Sequence, residues 1–429
     1  MAVSRAVVVG AGLAGLAAAQ ELARRGWTVE IFERSRQLGG KATSFAVEGA
    51  VVDNGQHVHL ACCTEYVDFV RRAGMADRLQ LQERFSVLVL HRGRRPARLH
   101  AAPLPAPLHL LASFARYGAL GVAGRARVAW ALAAARRPAG DAETAAGWLR
   151  RHGQTPATFA AFWEPFFVPA LNAPLAEASA QALLFTLRTV FLSDAGGARI
   201  GWATVPLAEV AEAAVRDVST VHRQTAVTGL AGDPGRVVGV QVEGGRIVRC
   251  DAVVLAVPPD RLRRLLRDPE RFGLDGLADL CTEPIVDVHL WYDAPIAGLE
   301  FAAVLESPLQ WVFQKAPGYL ACSLSAARQA VTRPEAELVA MCAGELAGVL
   351  PELRARRLLR GAATRDPHAT VIPAPGLGRP APGLIAPGLA LAGAWTATGW
   401  PDTMESAVRS GRAAARALTA AASEERAVA

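Results

Sequence analysis

Lysine is almost absent from this chain, and its absence limits what the positive charge can mean. The 429 residues carry a formal net charge of +7, yet lysine occurs only at positions 41 and 315, so nearly all of the basic charge is arginine. The arginines are spread through an alanine-rich sequence, and no basic block is interleaved with aromatic residues. Such a block is typical of nucleic-acid-binding proteins, so we expect no nucleic-acid partner.

Paired cysteines and a long uninterrupted apolar run are also missing. The six cysteines include no Cys-x-x-Cys pair, which favours buried thiols in a reducing compartment and indicates neither a metal site nor a disulfide framework. The apolar residues 380–401 are interrupted by proline and glycine, which a lipid-spanning helix would not tolerate. The apolar residues 6–19 are followed at once by charge and lack a cleavage site, so no secretory leader is predicted. We therefore expect a cytoplasmic protein.

What is present is a glycine turn between a predicted strand, residues 6–9, and a predicted helix, residues 13–25. Gly10 permits the tight turn, Gly12 lets a pyrophosphate approach the backbone, and Gly15 lets the helix lie close to the strand. A second predicted strand, residues 28–32, ends at Glu33, where a carboxylate usually binds a ribose. This order predicts a dinucleotide-binding βαβ unit.

A second glycine pair indicates which dinucleotide is bound. Gly39 and Gly40, followed by Lys41, resemble the FAD-binding N-terminus of the glutathione-reductase-like and amine-oxidase-like flavoproteins. Glu33 would repel the 2′-phosphate of NADP. No second G-x-G-x-x-G with a nearby arginine occurs, so we predict no built-in NADPH site and expect an external electron donor, which the sequence does not identify. FAD is the predicted cofactor.

The middle of the chain predicts an inserted domain. The apolar residues 251–257 are typical of a strand that is buried on both faces, which places them back in the parallel sheet. The predicted fold class is therefore α/β: a Rossmann-type, glutathione-reductase-like FAD-binding domain with an inserted α+β substrate domain. The predicted division assigns 1–85, 204–270 and 381–420 to the FAD-binding domain, 86–203 to a helical substrate-binding or membrane-facing part, 271–380 to a substrate-domain sheet, and 421–429 to a tail.

These glycines, the strand at 254–258 and the segment at Gly393 resemble the flavin-containing amine oxidase and phytoene desaturase superfamily. Internal motifs resemble, more narrowly, the hydroxysqualene dehydroxylase family. They are Asp53-Asn54-Gly55-Gln56-His57, Trp163-Glu164-Pro165 with Ala170-Leu171-Asn172, residues 288–293 and 310–313, and Gly399-Trp400-Pro401 with Thr403-Met404-Glu405-Ser406.

The resemblance implies a reductive reaction in squalene and hopanoid biosynthesis. The allylic hydroxyl of hydroxysqualene would be removed by ionisation to an allylic cation and hydride transfer from reduced flavin, giving squalene. The expected proton donor is His57 or Asp53, with Glu164 and Asp402 as further candidates. Two alternatives remain open: an FAD-dependent desaturase or oxidase of another isoprenoid, and a lipid-binding relative without turnover.

The expected binding residues follow from the motifs and from the aromatic residues. The expected FAD-binding residues are Gly10, Gly12, Leu13, Ala14, Gly15, Glu33, Arg34, Gly40, Lys41, Ala42, Gly55, Gln56, His57, Val227, Gly393, Ala394, Thr403 and Met404. Bulky rings suit the wall of a hydrocarbon pocket, and the expected substrate-binding residues are Phe162, Trp163, Phe166, Phe167, Trp291, Trp311 and Trp400. For each ring, ordinary core packing is the alternative.

Two further expectations concern FAD affinity and the membrane. The resembled family usually has an acid after the closing glycine, where this chain has Ala394, so we expect FAD binding to be weaker by about 1 kcal/mol, the value of one hydrogen bond. Residues 103–136 are apolar with interspersed arginines. They are predicted either to lie on the inner face of the cytoplasmic membrane as a peripheral contact or to pack on the core.

Overall fold

The computed structural model describes residues 4–47, 49–218, 220–233 and 236–428. Within them the strands are, in chain order, β1 (Arg5–Val9), β2 (Thr28–Phe32), β3 (Ser44–Val47), β4 (Ala50–Asp53), β5 (Val58–Leu60), β6 (Leu79–Leu81), β7 (Ser86–Leu90), β8 (Ala97–His100), β9 (Ile200–Ala203), β10 (Thr220–His222), β11 (Val227–Asp233), β12 (Arg236–Val242), β13 (Ile247–Arg249), β14 (Ala252–Leu255), β15 (Thr282–Tyr292), β16 (Phe301–Val304), β17 (Trp311–Ala316), β18 (Tyr319–Leu324), β19 (Leu358–Val371), β20 (Gly383–Ala386) and β21 (Leu389–Leu391).

The α-helices are α1 (Leu13–Arg24), α2 (Thr64–Arg72), α3 (Leu111–Ala115), α4 (Val122–Ala134), α5 (Ala145–Arg151), α6 (Pro156–Thr158), α7 (Glu164–Leu171), α8 (Ala180–Leu187), α9 (Leu207–Ala213), α10 (Pro259–Leu266), α11 (Glu335–Val349) and α12 (Met404–Val428). Short 3₁₀ turns occur at Ala76–Arg78, Leu108–Leu110, Pro269–Phe272, Asp275–Asp279 and Pro351–Ala355, and π-helical turns at Phe159–Trp163 and Arg188–Leu192.

The nucleotide-binding sheet is assembled from widely separated parts of the chain. Its strand order is β10-β2-β1-β14-β21-β20, with parallel pairing from β10 to β21 and an antiparallel edge at β20. Apart from the exposed Arg5, the side chains of β1 and β14 are apolar and buried on both faces, since α1 and α12 cover one face and the β11-β12-β13 sheet with α10 covers the other. This arrangement confirms the predicted α/β, Rossmann-type fold.

A second, larger sheet has the order β19-β15-β18-β17-β16-β7-β8. Side chains alternate along β15 because successive residues of a strand point to opposite faces. Val286, Val288 and Leu290 pack with residues of α11 in one apolar cluster. The intervening Asp287 and His289 point to the opposite face, where helices from the middle of the chain cover the sheet.

Two details differ from the sequence-based expectations. Strand β8 lies in the stretch 86–203 that we expected to be helical, whereas β7 falls where residues 85–90 predict a strand; β7 pairs in parallel with β16, more than two hundred residues away. No local signal indicates such a pairing. Helix α12 continues to Val428 instead of ending near 418 before a tail, because the alanine-rich sequence that follows favours a helix.

The helical region between β8 and β9 contains both π-helical turns. Each π-helical turn directly adjoins an α-helix, at the start of α7 and at the end of α8. Such turns are rare and often occur at functional sites. Among the described residues, no helix combines the length and apolar character that crossing a membrane requires.

Candidate functional site

The glycine turn at the start of α1 is sterically closed to larger residues. Gly10 has φ +99°, and a Cβ there would lie 2.6 Å from the carbonyl oxygen of Ala256. A Cβ on Gly15 would lie 1.9 Å from the carbonyl oxygen of Gly10. The turn therefore packs against β14 and its own helix through bare backbone, as the sequence predicts.

The second glycine pair packs directly on this turn. The backbone N–H of Gly39 donates to the carbonyl oxygen of Ala11 at 2.8 Å, and a Cβ on Gly40 would lie 2.9 Å from Cα of Gly12. No side chain caps the N-terminus of α1, which follows Gly12. Uncapped amides at a helix N-terminus, beside backbone without side chains, make a site for an anion such as a diphosphate. These residues fit the pyrophosphate of FAD.

Glu33 lies beside the same turn at the end of β2. Its Oε2 accepts a hydrogen bond from the backbone N–H of Ala11 at 2.8 Å, and its Oε1 accepts one from Ser35 at 2.8 Å. These two bonds hold the buried carboxylate next to the phosphate turn, where a ribose is expected. Arg34 is exposed, and Val227 is half-buried in the cluster that also contains Phe32.

The closing segment of the chain lies beside the first helix. Gly393 is buried and its N–H donates to the Ser410 hydroxyl, while the carbonyl oxygen of Ala394 accepts from the Ser406 hydroxyl. Thr403 and Met404 are half-buried at the start of α12, which packs along α1. The N-terminus of α12 thus offers a second set of backbone donors for negative charge near the first.

Lys41 and Asp402 both bind the end of β19. The Lys41 ammonium donates to the carbonyl oxygens of His368 and Ala369, and Asp402 Oδ2 accepts from the backbone N–H of Val371 at 2.8 Å. Burial raises the pKa of Asp402. These bonds join the FAD-binding segments to the larger sheet.

Asp53 ends β4 and is surrounded by donors. Its Oδ1 accepts from the Ser44 hydroxyl at 2.6 Å and from the backbone N–H of Leu207 at 3.0 Å. The Lys315 ammonium lies 3.5 Å from its Oδ2. The Asp53 carboxylate therefore joins β3, α9 and β17 and positions the loop that follows it.

His57, which follows in that loop, is held by the loop itself. Its Nε2 lies 2.9 Å from the carbonyl oxygen of Asn54, and the ring also hydrogen-bonds to the backbone of Lys41. Burial lowers the pKa of His57, which favours the neutral ring at neutral pH. Gly55 has φ +94°, and a Cβ there would lie 3.4 Å from His57 Nε2 and 3.5 Å from Oδ2 of Asp287. An added Cβ would be only in ordinary contact with both groups, so it is the positive φ of Gly55 that favours glycine where the loop meets β15.

Asp287 and His289 on β15 line this meeting point. Oδ1 of Asp287 accepts from the backbone N–H of Gln56 at 3.2 Å, and burial raises the pKa of Asp287 to about 7. His289 Nδ1 lies 2.8 Å from the Tyr319 hydroxyl, and burial lowers the pKa of His289 to about 4. At neutral pH His289 is therefore uncharged, whereas Asp287 is in part protonated.

An aromatic wall lies beyond these polar groups. Ring centroids are 5.6 Å apart for Phe162 and Phe166, and 6.0 Å apart for Phe166 and Trp311. All three of these rings are half-buried. Trp163 and Phe167 are fully buried behind them, so in this structure they support the wall instead of lining it.

The remaining candidates lie at the margins of this region. Trp291 stacks on Tyr319 with centroids 4.8 Å apart, on the same face of the sheet as Asp287. Trp400 is half-buried against Phe185 of α8. Glu164 is exposed at the start of α7. Which of these residues contact a ligand stays a prediction.

A family model described as flavin containing amine oxidoreductase matches residues 13–419. The chain belongs to this family. It is 32% identical over 440 residues to hydroxysqualene dehydroxylase from Rhodopseudomonas palustris, an alignment that covers 96% of this chain and 98% of that protein. It is 26% identical over 443 residues to hydroxysqualene dehydroxylase from Sinorhizobium fredii, covering 95% and 96% of the two chains.

The fold of this flavoprotein is shared with solved structures of low sequence identity. A putrescine oxidase double mutant superposes with a TM-score of 0.72 at 17% identity, covering 97% of this chain and 99% of that chain. The predicted superfamily membership is therefore confirmed. The protein is an FAD-dependent oxidoreductase. The parts of the chain that fit FAD are the backbone at Gly10, Gly12, Gly39 and Gly40, the Glu33 carboxylate, and the N-termini of α1 and α12.

Sequence reasoning missed Asp287 and His289 as site residues of this flavoprotein. A usable signal was present, because Asp287, His289 and Trp291 recur at every second position between apolar residues, which places them on one face of a strand. Polar residues repeated on one face of a buried strand indicate a functional surface. The motif at residues 288–293, which carries part of the family resemblance, begins one residue after Asp287.

Proposed function

We propose that this flavoenzyme reductively removes the allylic hydroxyl of hydroxysqualene to give squalene. The observation that carries the proposal is the similarity to hydroxysqualene dehydroxylases over nearly the whole of both chains. The structure supports it by placing an aromatic wall and a polar cluster on the same face of one sheet. A substrate that is a long hydrocarbon with a single hydroxyl needs an apolar surface for its chain and polar groups for its hydroxyl.

The reaction requires a proton and a hydride at neighbouring places. When bound and reduced, FAD supplies the hydride to the carbon from which the hydroxyl leaves. The chain has three tasks: to hold the hydrocarbon against Phe162, Phe166 and Trp311, to exclude water, and to deliver one proton to the leaving oxygen. Apolar rings also stabilise a nearby cationic carbon through their π faces. His57 and Asp53 are the proton donors predicted from the sequence; His57 lies in the loop that meets the sheet, and Asp53 is the last residue of β4 before that loop.

The test is product analysis with FAD-loaded enzyme reduced in the absence of oxygen. Hydroxysqualene should be converted to squalene once per reduced flavin, and the oxidised enzyme should convert none. Conversion of a phytoene-type substrate by the oxidised enzyme, without consumption of hydroxysqualene by the reduced enzyme, would instead support an isoprenoid desaturase. Absence of both reactions in a yellow, FAD-loaded preparation would support the lipid-binding alternative.

We also propose that the surface of residues 104–130 contacts the inner face of the cytoplasmic membrane, from which an oily substrate would be drawn. Leu111, Val122 and Trp130 are 60%, 75% and 67% exposed, which is unusual for large apolar side chains. Trp130 borders a surface groove of about 440 Å³ that Arg127 and Arg151 also line. Arginines beside apolar side chains suit anionic lipid headgroups.

Vesicle flotation tests this second proposal. The protein should float with phosphatidylcholine vesicles that contain phosphatidylglycerol, and Trp130→Asp should reduce the bound fraction severalfold. Ile247→Asp is the matched control, because Ile247 is a 55% exposed apolar residue of β13, outside the proposed lipid surface, and should leave flotation unchanged. Equal losses in the two variants, or equal binding by wild type and Trp130→Asp, would contradict a specific lipid surface at this place.

A further inference from the structure

Asp287 lies in a row of side chains that crosses three adjacent strands of the larger sheet. Asp287 of β15 pairs directly with Ser323 of β18, which pairs directly with Trp311 of β17. Directly paired residues point to the same face of a sheet, and neighbouring strands are about 4.8 Å apart. The carboxyl therefore lies on the order of 10 Å from the indole of the aromatic wall, on the same face.

The surroundings of Asp287 are those of a buried acid. The residue is 3% exposed. Its hydrogen-bond partners are the backbone N–H of Gln56 and the Ser323 hydroxyl, and its Oδ2 faces the space above Gly55. Asp287 has no ion-pair partner within 4 Å among the described residues, whereas Asp53 lies near Lys315. Titratable or charged groups near this carboxyl are Asp53, His57, His289, Lys315 and Tyr319.

The two donors predicted from the sequence are less suited to the task. Asp53, like Asp287, accepts from a hydroxyl and a backbone N–H, but it also lies 3.5 Å from the Lys315 ammonium, whereas Asp287 has no ion-pair partner among the described residues. His57 hydrogen-bonds to the backbone of Asn54 and of Lys41, and burial lowers its pKa, which favours the neutral ring. Asp287 is the buried carboxyl at this junction that has no cation beside it among the described residues, and burial raises its pKa to about 7, so that it is in part protonated at neutral pH.

We propose that Asp287 is the proton donor to the leaving hydroxyl, an inference that rests on the proposed function. In this step the O–H bond of the carboxyl breaks and a new O–H bond forms on the substrate oxygen. The C–O bond breaks with its electron pair leaving on oxygen, as water. The carbon then receives hydride from the reduced flavin, and the Asp287 carboxylate regains its proton from solvent.

In this arrangement the hydrocarbon chain of the substrate extends from Asp287 past Ser323 to Trp311 and Phe166. This assigns the polar end of the substrate to the β15 side of the sheet and the apolar chain to the α7 side. A pKa of Asp287 near 7 suits an acid that must donate and be reprotonated at neutral pH.

The experiment is a single-turnover reaction of FAD-loaded, anaerobically reduced enzyme with hydroxysqualene, followed across a pH series. The wild-type rate should fall as pH rises through about 7, because the donor must be protonated. Asp287→Asn should be slower by at least about a hundredfold and lose this pH dependence. Asp293→Asn is the matched control: the same change at an exposed position just beyond the same strand, expected to leave the rate and its pH profile unchanged.

A second readout does not depend on turnover. Infrared difference spectra of the oxidised, FAD-loaded enzyme between acid and alkaline pH should contain a carboxylic-acid band that titrates near pH 7 and is missing in Asp287→Asn. If that variant fails to bind FAD, Ser323→Ala replaces it. Loss of the hydroxyl that favours the charged carboxylate should move the alkaline fall in rate to higher pH.

The outcomes separate this inference from the proposed function. Wild-type enzyme that leaves hydroxysqualene unchanged at every pH defeats the proposed function and the inference with it. Active wild type, with Asp287→Asn within threefold of it, or with no band assigned to Asp287, overturns the inference alone. A hundredfold loss in His57→Ala together with a fast Asp287→Asn would assign the proton to His57.

Discussion

Replacing Gly411 by alanine is expected to separate the two helices that hold FAD. Gly411 of α12 faces α1, and a Cβ there would lie 2.0 Å from the carbonyl oxygen of Ala14 and 2.9 Å from the backbone nitrogen of Ala18. Ordinary contact begins near 3.4 Å, and both atoms belong to backbone, so no rotamer change relieves the overlap. The helices must move apart, which also displaces the helix N-terminus that faces the pyrophosphate.

The magnitude follows from two opposing effects. Overpacking against backbone costs about 1–3 kcal/mol, occasionally more, and alanine contributes about 1 kcal/mol in a helix interior relative to glycine. Because the overlap is with a backbone atom at 2.0 Å, we take the upper end of the overpacking cost and expect a net loss of about 2 kcal/mol, roughly thirtyfold in the ratio of folded to unfolded protein. Gly344→Ala is the control, since Gly344 lies within α11 with nothing within 4 Å of its added Cβ, and it should stabilise the protein by about 0.5–1 kcal/mol.

The assay is denaturant unfolding followed by tryptophan fluorescence, with flavin fluorescence to report release of FAD. Gly411→Ala should unfold and release FAD at lower denaturant than wild type, and Gly344→Ala should unfold at the same or higher denaturant. Gly411→Ala with wild-type stability and FAD retention would refute the close approach of α1 and α12. A similar loss of stability in Gly411→Ala and Gly344→Ala would contradict the claim that overlap with the backbone of α1 causes the loss at Gly411.

Three further predictions concern single side chains. Ala394→Asp should tighten FAD binding by about 1 kcal/mol, roughly fivefold in Kd, and titration of the apoprotein with FAD showing no tightening would refute it. Glu33→Gln should weaken FAD binding by about 2 kcal/mol, because an amide cannot accept from the N–H groups of both Ala11 and Ser35; an unchanged Kd in the same titration would speak against this geometry. Because the pKa of Asp287 is raised to about 7 in the folded chain, the unfolded chain releases this proton from about pH 4 upward while the folded chain retains it, so wild-type stability falls as pH rises to about 7. Asp287→Asn should therefore gain about 3 kcal/mol over wild type between about pH 5 and pH 8. If the unfolding free energies of wild type and Asp287→Asn depend on pH in the same way, the raised pKa of Asp287 in the fold is contradicted.

Much of the FAD-binding half could be predicted from the sequence because its signals are local. The turn at Gly10, the second strand and Glu33 lie within a short stretch of chain, where Gly10 and Gly15 each have a steric reason to be glycine. The boundaries of α1 and β2 followed from apolar periodicity. The C-terminal limit of α12 did not, since alanine-rich sequence continues without a stop signal.

The substrate side was predicted less well because its contacts join distant residues. Aromatic residues near position 160 indicated a pocket wall, yet only the packing shows that Phe162 and Phe166 are half-buried while Trp163 and Phe167 are fully buried. A strand or helix pattern gives the face on which a side chain lies. It does not say how deeply that face is covered.

The sequence by itself determined that this chain forms a βαβ nucleotide-binding unit closed by a C-terminal strand and helix, because turn chemistry and periodicity act over a few residues. Only the tertiary structure decided which groups meet at the reactive end of the site. The backbone of Gln56 and the carboxylate of Asp287 are hydrogen-bonded across 231 positions of the chain. Desolvation, which governs the protonation of that carboxylate, depends on every element packed around it.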